Sequence, residues 1–349
     1  MEDYVVIERN GFHVMSAAIS YSVRAPQWIL NYAGVNISGE ISAMVRAISY
    51  VDRLGARSGD LCVEVEDHAQ RWQGPWYPAL GDGIEAFLGY TGGQLLECGS
   101  FQIDDLQLSG PPDVFRLRCL AAYVTPAMRT RNSAAYEGQT LLAIAATIAG
   151  KYGLGLVSAP EIEDVAFERV TQRDETDLEF LARLANEFGY DFTVRGAQLV
   201  FYAHAALQAA APIATIGRSD LERFGFRNRT RKIYLAASAA YFDPAGKQLI
   251  AQNVSAGTAT PTGDTLKIIA RCENAAQAGL RASAALNRHN QAFFGARLVG
   301  PGNPALSAGC NVLLSGWGML DGIYLIETAR HLLDRERGYS TEIEALRSV

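Results

Sequence analysis

The chain has 349 residues, of which 49% are hydrophobic and 19% charged, with a formal net charge of −6 at pH 7. That length exceeds one average domain, so two or three domains with buried cores are expected, and the composition excludes a chain dominated by disorder. The acidic balance, with a pI near 5.5, gives no general attraction for phosphate backbones, so sequence-specific nucleic-acid binding is not expected.

No run approaches the roughly 18 to 20 apolar residues needed to cross a bilayer, so stable membrane insertion is not expected either. The acidic start Met1-Glu2-Asp3-Tyr4 is unlike the basic opening of a signal peptide and predicts a protein made and kept in the cytosol. The five cysteines, Cys62, Cys98, Cys119, Cys272 and Cys310, are odd in number and form no Cys-x-x-Cys pair. Most sit among apolar neighbours and read as free core thiols.

From Trp28 to about Ala121 the pattern has period two, with glycine and proline punctuation every ~8 to 12 residues, the spacing of a β-barrel or sandwich. Leu61, Val63 and Val65 alternate with Cys62, Glu64 and Glu66, and Phe115, Leu117 and Cys119 alternate with Arg116 and Arg118. Each strand therefore has one core face and one polar face. Around 123–202 the period turns helical. Leu141, Ile144, Ala145 and Ile148 form an apolar stripe closed by Gly153. Thr176-Asp177-Leu178-Glu179 reads as a capping box opening a second helix that ends at Gly189. A short hairpin across Arg195-Gly196 follows. Beyond about 211 the β pattern resumes, interrupted by an Ala-rich helix at about 273–291, and final strands are expected at 312–315, 323–329 and 341–345. The expected fold is mainly β with an α+β insert: a first barrel at 1–122, the insert at 123–205, and a second barrel with one long helix at 206–349.

An internal duplication supports two related barrels. Pro78-Ala79-Leu80-x-x-Gly83 is matched by Pro304-Ala305-Leu306-x-x-Gly309. Downstream, Gly99-x-Phe101-x-Ile103-Asp104 is matched by Gly322-x-Tyr324-x-Ile326-Glu327. In each copy the aromatic ring and the isoleucine share one strand face, which predicts core staves. Three chains carrying two such barrels would present six similar barrels in a ring.

Catalytic patterns are few. The histidines His13, His68, His204, His289 and His331 are scattered, and no His-Glu-x-x-His, Gly-x-Ser-x-Gly or Walker loop occurs. Asp67-His68 reads as a strand end rather than a ligand pair, and no metal or cofactor is expected. Gly150 to Gly155 lacks the Lys-Ser/Thr of a phosphate loop and reads as a helix end. The acidic group Glu161, Glu163, Asp164, Asp174, Glu175, Asp177 and Glu179 keeps a glycan or peptidoglycan hydrolase as the alternative class. Arg227, Arg229 and Arg231 would project from one strand face. They are the candidate interface residues, set against the acidic face of Glu64 and Glu66 on a neighbouring barrel.

With those residues in hand, the chain resembles the phage late-control D family, tail hub proteins related to the N-terminal part of VgrG proteins of type VI secretion. The resemblance is carried by Asp60-Leu61-Cys62-Val63-Glu64-Val65-Glu66-Asp67 with Trp72, by Gly81-Asp82-Gly83, and by Gly99-x-Phe101-x-Ile103-Asp104. Two further carriers are the stretch from Gln172 to Ala185 and Gly338-Tyr339-Ser340-Thr341. It implies a structural, non-enzymatic homotrimer joining a hexameric tail tube, or its initiator, to a trimeric central spike, in contact with other baseplate proteins. A separate spike protein is expected, because the sequence stops near the end of the second barrel. The implied location is the bacterial host cytoplasm during assembly and then the baseplate of a phage tail, tail-like bacteriocin or other contractile injection system, effector-carrying secretion hubs included.

Overall fold

The computed structural model describes residues 8–9, 12–13, 24–55, 59–122, 126–195, 197–228, 233–243, 246–256, 263–269, 271–291 and 294–348. The chain is mainly β. Its largest sheet carries the two expected barrel regions in one hydrogen-bonded path.

In the first barrel region the strands Val45–Arg53, Asp60–Glu66, Val114–Ala121, Leu96–Ser109, Gly83–Tyr90 and Pro26–Tyr32 lie side by side in that order. The second repeats the order with Arg223–Asn228, Phe294–Pro301, Gly338–Arg347, Gly322–Asp334, Asn311–Leu314 and Pro212–Ile216. One pairing differs between the copies. Pro26–Tyr32 runs antiparallel to its neighbour, whereas Pro212–Ile216 runs parallel to its own.

Alternation decides which faces are buried. Leu61, Val63 and Val65 are buried while Cys62, Glu64 and Glu66 on the opposite face are half-exposed, the outcome expected of a strand with one wet face. Leu30, Ile48, Leu88, Phe101 and Ile103 complete the first core. Leu298, Val312, Tyr324, Ile326 and Ile343 build the second. The expected staves Phe101, Ile103, Tyr324 and Ile326 are all 2% exposed or less.

Between the barrel regions, the helix Leu141–Lys151 and the helix Asp177–Glu187 pack with the strands Gly155–Ser158, Gln198–Ala203 and Tyr190–Arg195 around Ile144, Phe180, Leu184, Phe192 and Phe201. The capping box forms as expected: the Thr176 hydroxyl accepts from Glu179 N–H, and the Glu179 carboxylate accepts from Thr176 N–H. Two features were not expected. Arg131–Thr140 pairs with Ala166–Thr176 as a long two-stranded ribbon. Residues 206–349 also hold two cores rather than one, because the helix Ala275–Gln291 covers a separate three-stranded sheet. That sheet comprises Ala236–Asp243, Gln248–Ser255 and Thr265–Ile269. Ala278, Ala282 and Leu286 face it, while Leu280 packs onto the insert core, so this helix joins the two α/β layers. Among the described residues no helix is long and apolar enough to cross a membrane.

Candidate functional site

The duplication extends from sequence to hydrogen bonds. Gly81 N–H donates to Ile103 C=O at 2.8 Å, and Gly309 N–H donates to Ile326 C=O at 2.9 Å. Both glycines have positive φ, +92° and +88°, backbone that a side chain would strain. The structural partner of Gly309 is therefore Gly81, two residues before the Gly83 that the sequence match pairs with it. Ile84 lies opposite Phe101, as Val312 lies opposite Tyr324. On the other side Ile103 pairs with Cys119 and Ile326 with Ala345, and in each copy the next residue, Asp104 or Glu327, is skipped by a bulge. The aromatic packing repeats as well. Tyr50 meets Phe101 edge-on at 5.9 Å, and Phe226 meets Tyr324 edge-on at 6.4 Å.

Within one chain the copies are joined edge to edge. After the bulge, Gly322–Asp334 leaves its own barrel's edge and pairs with the first strand of the other barrel, from Thr328 opposite Arg53 to Asp334 opposite Ala47. His331 is fully buried at this seam, stacked on Tyr50. Its Nε2–H donates to Leu306 C=O at 2.9 Å, which leaves Nδ1 to accept from the Tyr339 hydroxyl at 2.8 Å. Burial pushes its pKa down to about 4, so the ring is a neutral structural bridge. Asp52 accepts from Ala308 N–H at 2.9 Å, and burial raises its pKa. Arg335 latches the far end, donating to the carbonyls of Val45 at 3.0 Å and Ala43 at 2.8 Å and to the Glu66 carboxylate at 3.0 Å. The latter bond holds Glu66 below the usual carboxylate range.

The candidate interface residues are not brought together inside one chain. Arg227 is exposed on the outer strand Arg223–Asn228, while Arg229 and Arg231 lie outside the described residues. Glu64 pairs with Arg116 at 2.7 Å and Glu66 with Arg335 at 3.0 Å, so both acids are already engaged within the chain. Three members of the acidic group around 161–179 hold structural tasks. Asp177 accepts from Lys151 and Tyr152 at 2.7 Å and from Gln172 at 2.8 Å. Glu175 pairs with Arg183 at 2.6 Å, and Asp164 accepts from Leu142 N–H at 2.9 Å. Asp67 is buried and accepts from Trp72 N–H at 3.2 Å, whereas the His68 side chain is 71% exposed. Among the described residues no group of three or more His, Cys, Asp or Glu side chains could hold a metal ion. No disulfide joins the cysteines: Cys98, Cys119 and Cys272 are buried, and Cys62 and Cys310 half-buried. An open cleft of 740 Å³ at the meeting of the layers is lined by Arg53, Glu179, Asp191, His204, Arg288 and Glu327 among others. His204 and Asp191 lie 3.0 Å apart there.

Two like barrels joined through a shared sheet, with α/β layers between them in sequence, are an arrangement this chain shares with known proteins. A probable baseplate hub protein of Escherichia phage P2 is 28% identical over 224 residues, 63% of this chain and 57% of that protein. The chain thus spans little more than half the length of that curated relative. No protein-family model matches. The fold is shared with a tail protein of Neisseria meningitidis, at TM-score 0.70 and 14% identity over 93% of this chain and 97% of the other. It is also shared with an E. coli component of the type VI secretion system, itself similar to T4 bacteriophage tail proteins, at TM-score 0.55 and 16% identity over 88% of this chain and 74% of the other. The chain is thus similar in sequence to phage baseplate hub proteins and shares its fold with phage tail and type VI secretion proteins.

Proposed function

We propose that the chain is the structural hub of a contractile phage tail or tail-like particle, a homotrimer in which two barrels per subunit alternate around one channel. The observation that carries this reading is the repeated register of the two barrels together with their edge-to-edge junction. Three copies then give a ring of six nearly equivalent barrels, a threefold body with an approximately sixfold face. Such a body matches a hexameric tube on one side and a trimeric spike on the other, with further baseplate proteins around it, and its final location is the virion tail. The division into a first barrel at 1–122, an insert at 123–205 and a second barrel region at 206–349 is part of this proposal. Arg227, with the Arg229 and Arg231 of the same sequence stripe, is assigned to the contact with the neighbouring subunit, while Glu64 and Glu66, expected as its partners, are held by Arg116 and Arg335 inside the chain. The role is structural rather than enzymatic, because Asp164, Glu175, Asp177 and Glu179, four of the carboxylates that suggested a hydrolase, serve as caps and ion-pair partners. Negative-stain microscopy of native particles with an antibody against this chain tests the assignment. Label at the baseplate end of the tail is expected; label on the sheath or capsid, or none, overturns it.

A further inference from the structure

The internal junction has one half of each barrel's docking apparatus, and the other half stands open. In the second barrel the stretch Thr328 to Asp334 beyond the bulge pairs with the first barrel's leading strand. The equivalent stretch of the first barrel, Asp105 to Ser109 beyond the bulge at Asp104, pairs with Val114–Ala121 on one side. Among the described residues it has no strand on the other side. Conversely, Val45–Arg53 has strands on both sides, whereas its counterpart Arg223–Asn228 has Phe294–Pro301 on one side and, among the described residues, an open edge on the other. The two unused edges carry exposed apolar groups, Leu108 at 46% and Phe224 at 43%. Open edges of this kind are ready templates for another strand.

We infer that the open edge at Asp105 to Ser109 of one subunit pairs antiparallel with the open edge of Arg223–Asn228 in the next copy of this chain, in the register that the internal junction already uses. The inference rests on the hub reading above and assigns its subunit interface. Equivalence fixes the register. Tyr50 lies across Leu61 and Cys119 from Ile103, and Phe226 lies across Ala296 and Ala345 from Ile326, so Tyr50 and Phe226 are counterparts. His331 lies five residues beyond Ile326, and Leu108 five beyond Ile103, so these are counterparts too. The pairing of His331 with Tyr50 inside the chain therefore becomes Leu108 with the neighbour's Phe226. An apolar contact there replaces the histidine bridge. One step along, Gln107 falls opposite Arg227, and Asp105, on the same face, sits diagonal to it within reach of the guanidinium. Arg223 and Arg227 on one edge and Asp105 on the other give the contact opposite charges, which selects the partner and its direction.

Geometry makes the register testable. Leu54 N–H donates to Glu327 C=O at 2.9 Å. Alternation along the ladder then makes Arg330 and Val51, and by equivalence Gln107 and Arg227, a non-hydrogen-bonded pair with Cα atoms about 4.5 Å apart, inside disulfide range. The full-length Gln107→Cys, Arg227→Cys double variant, both substitutions being at exposed positions, is oxidised mildly and run without reductant beside the wild type and each single variant. Expected is conversion of the band to one at three times the 37.8 kDa monomer, reversed by reductant. The single variants, the wild type and Gln107→Cys with Phe224→Cys, offset by about 10 Å along the strand, stay monomeric on the gel. Trimers in light scattering without the selective crosslink, or equal crosslinking in the offset pair, overturn the edge pairing and leave the hub reading standing. Monomers alone in light scattering at high concentration overturn both.

Discussion

Truncating Phe101 to alanine probes the first barrel where the duplication is best defined. The side chain is 2% exposed, lies opposite Ile84 and Ala121 on its two neighbouring strands, and meets the Tyr50 ring edge-on at 5.9 Å. Loss of a buried phenylalanine costs about 3–5 kcal/mol through lost transfer energy and the residual cavity, and the edge-on pair contributes about 0.5–1.5 kcal/mol more. Strands on both sides hold the site open, so the cavity collapses poorly and the cost falls near the top of that range. Against the roughly 5–15 kcal/mol that keeps a domain folded, the barrel becomes marginal. Urea and thermal unfolding followed by tryptophan fluorescence read this region selectively, because Trp28, Trp72 and Trp76 pack on the first core and Trp317 on the second. The first-barrel transition should fall by about 10 °C or more. A melting temperature within about 1 °C of wild type would refute the assignment of this strand to the barrel core.

Tyr324 fills the same place in the second barrel but carries a hydroxyl that donates to Leu320 C=O at 2.9 Å; Tyr324→Phe should cost about 0.5–1.5 kcal/mol in urea unfolding, and no loss would mean the hydroxyl is satisfied by solvent. His331 stays neutral in the fold to a pKa of about 4 against an ordinary 6.5, so protons bind the unfolded chain first and stability is lost as the pH falls from about 6.5 to about 4, by about 3 kcal/mol. Nearby Asp52, whose pKa burial raises, works in the opposite sense. The decisive quantity is therefore the pH-dependent difference between wild type and His331→Gln, and parallel curves for the two would contradict the buried bridge. Replacing Arg227, Arg229 and Arg231 together by glutamate should abolish assembly in light scattering while leaving the far-UV circular dichroism unchanged; normal assembly removes the arginine stripe from the interface.

The strands with one wet face were readable because burial obeys the alternation of residue types, as at Leu61 to Glu66 and Phe115 to Cys119. The capping box at Thr176 was readable because it is local. What escaped lay where chemistry and burial part company. The strand expected at 323–329 runs to Asp334, and His331 sits buried within it because Leu306 and Tyr339 supply hydrogen bonds that the sequence pattern does not reveal. Arg131–Thr140 alternates in exposure yet is built from Asn132, Ser133, Ala134 and Ala135, too small and polar to register as a hydrophobic stripe. The sheet under Ala275–Gln291 presents Ala237 and Ala239, whose methyl groups give no strand signal of their own. The edges inferred above to pair between subunits were legible only in part. Arg227, Arg229 and Arg231 stood out in the sequence, but Asp105 to Ser109 reads as an ordinary hairpin end until it is set beside the paired stretch Thr328 to Asp334 of the second barrel.

The hub proposed above is three chains closing a ring of six nearly equivalent barrels. Class averages of the assembled hub in negative stain, viewed down the channel, test it most directly. Six lobes around a central opening, related by a true threefold axis, are the result it predicts. Isolated two-barrel particles, or a dimer without a channel, would contradict it.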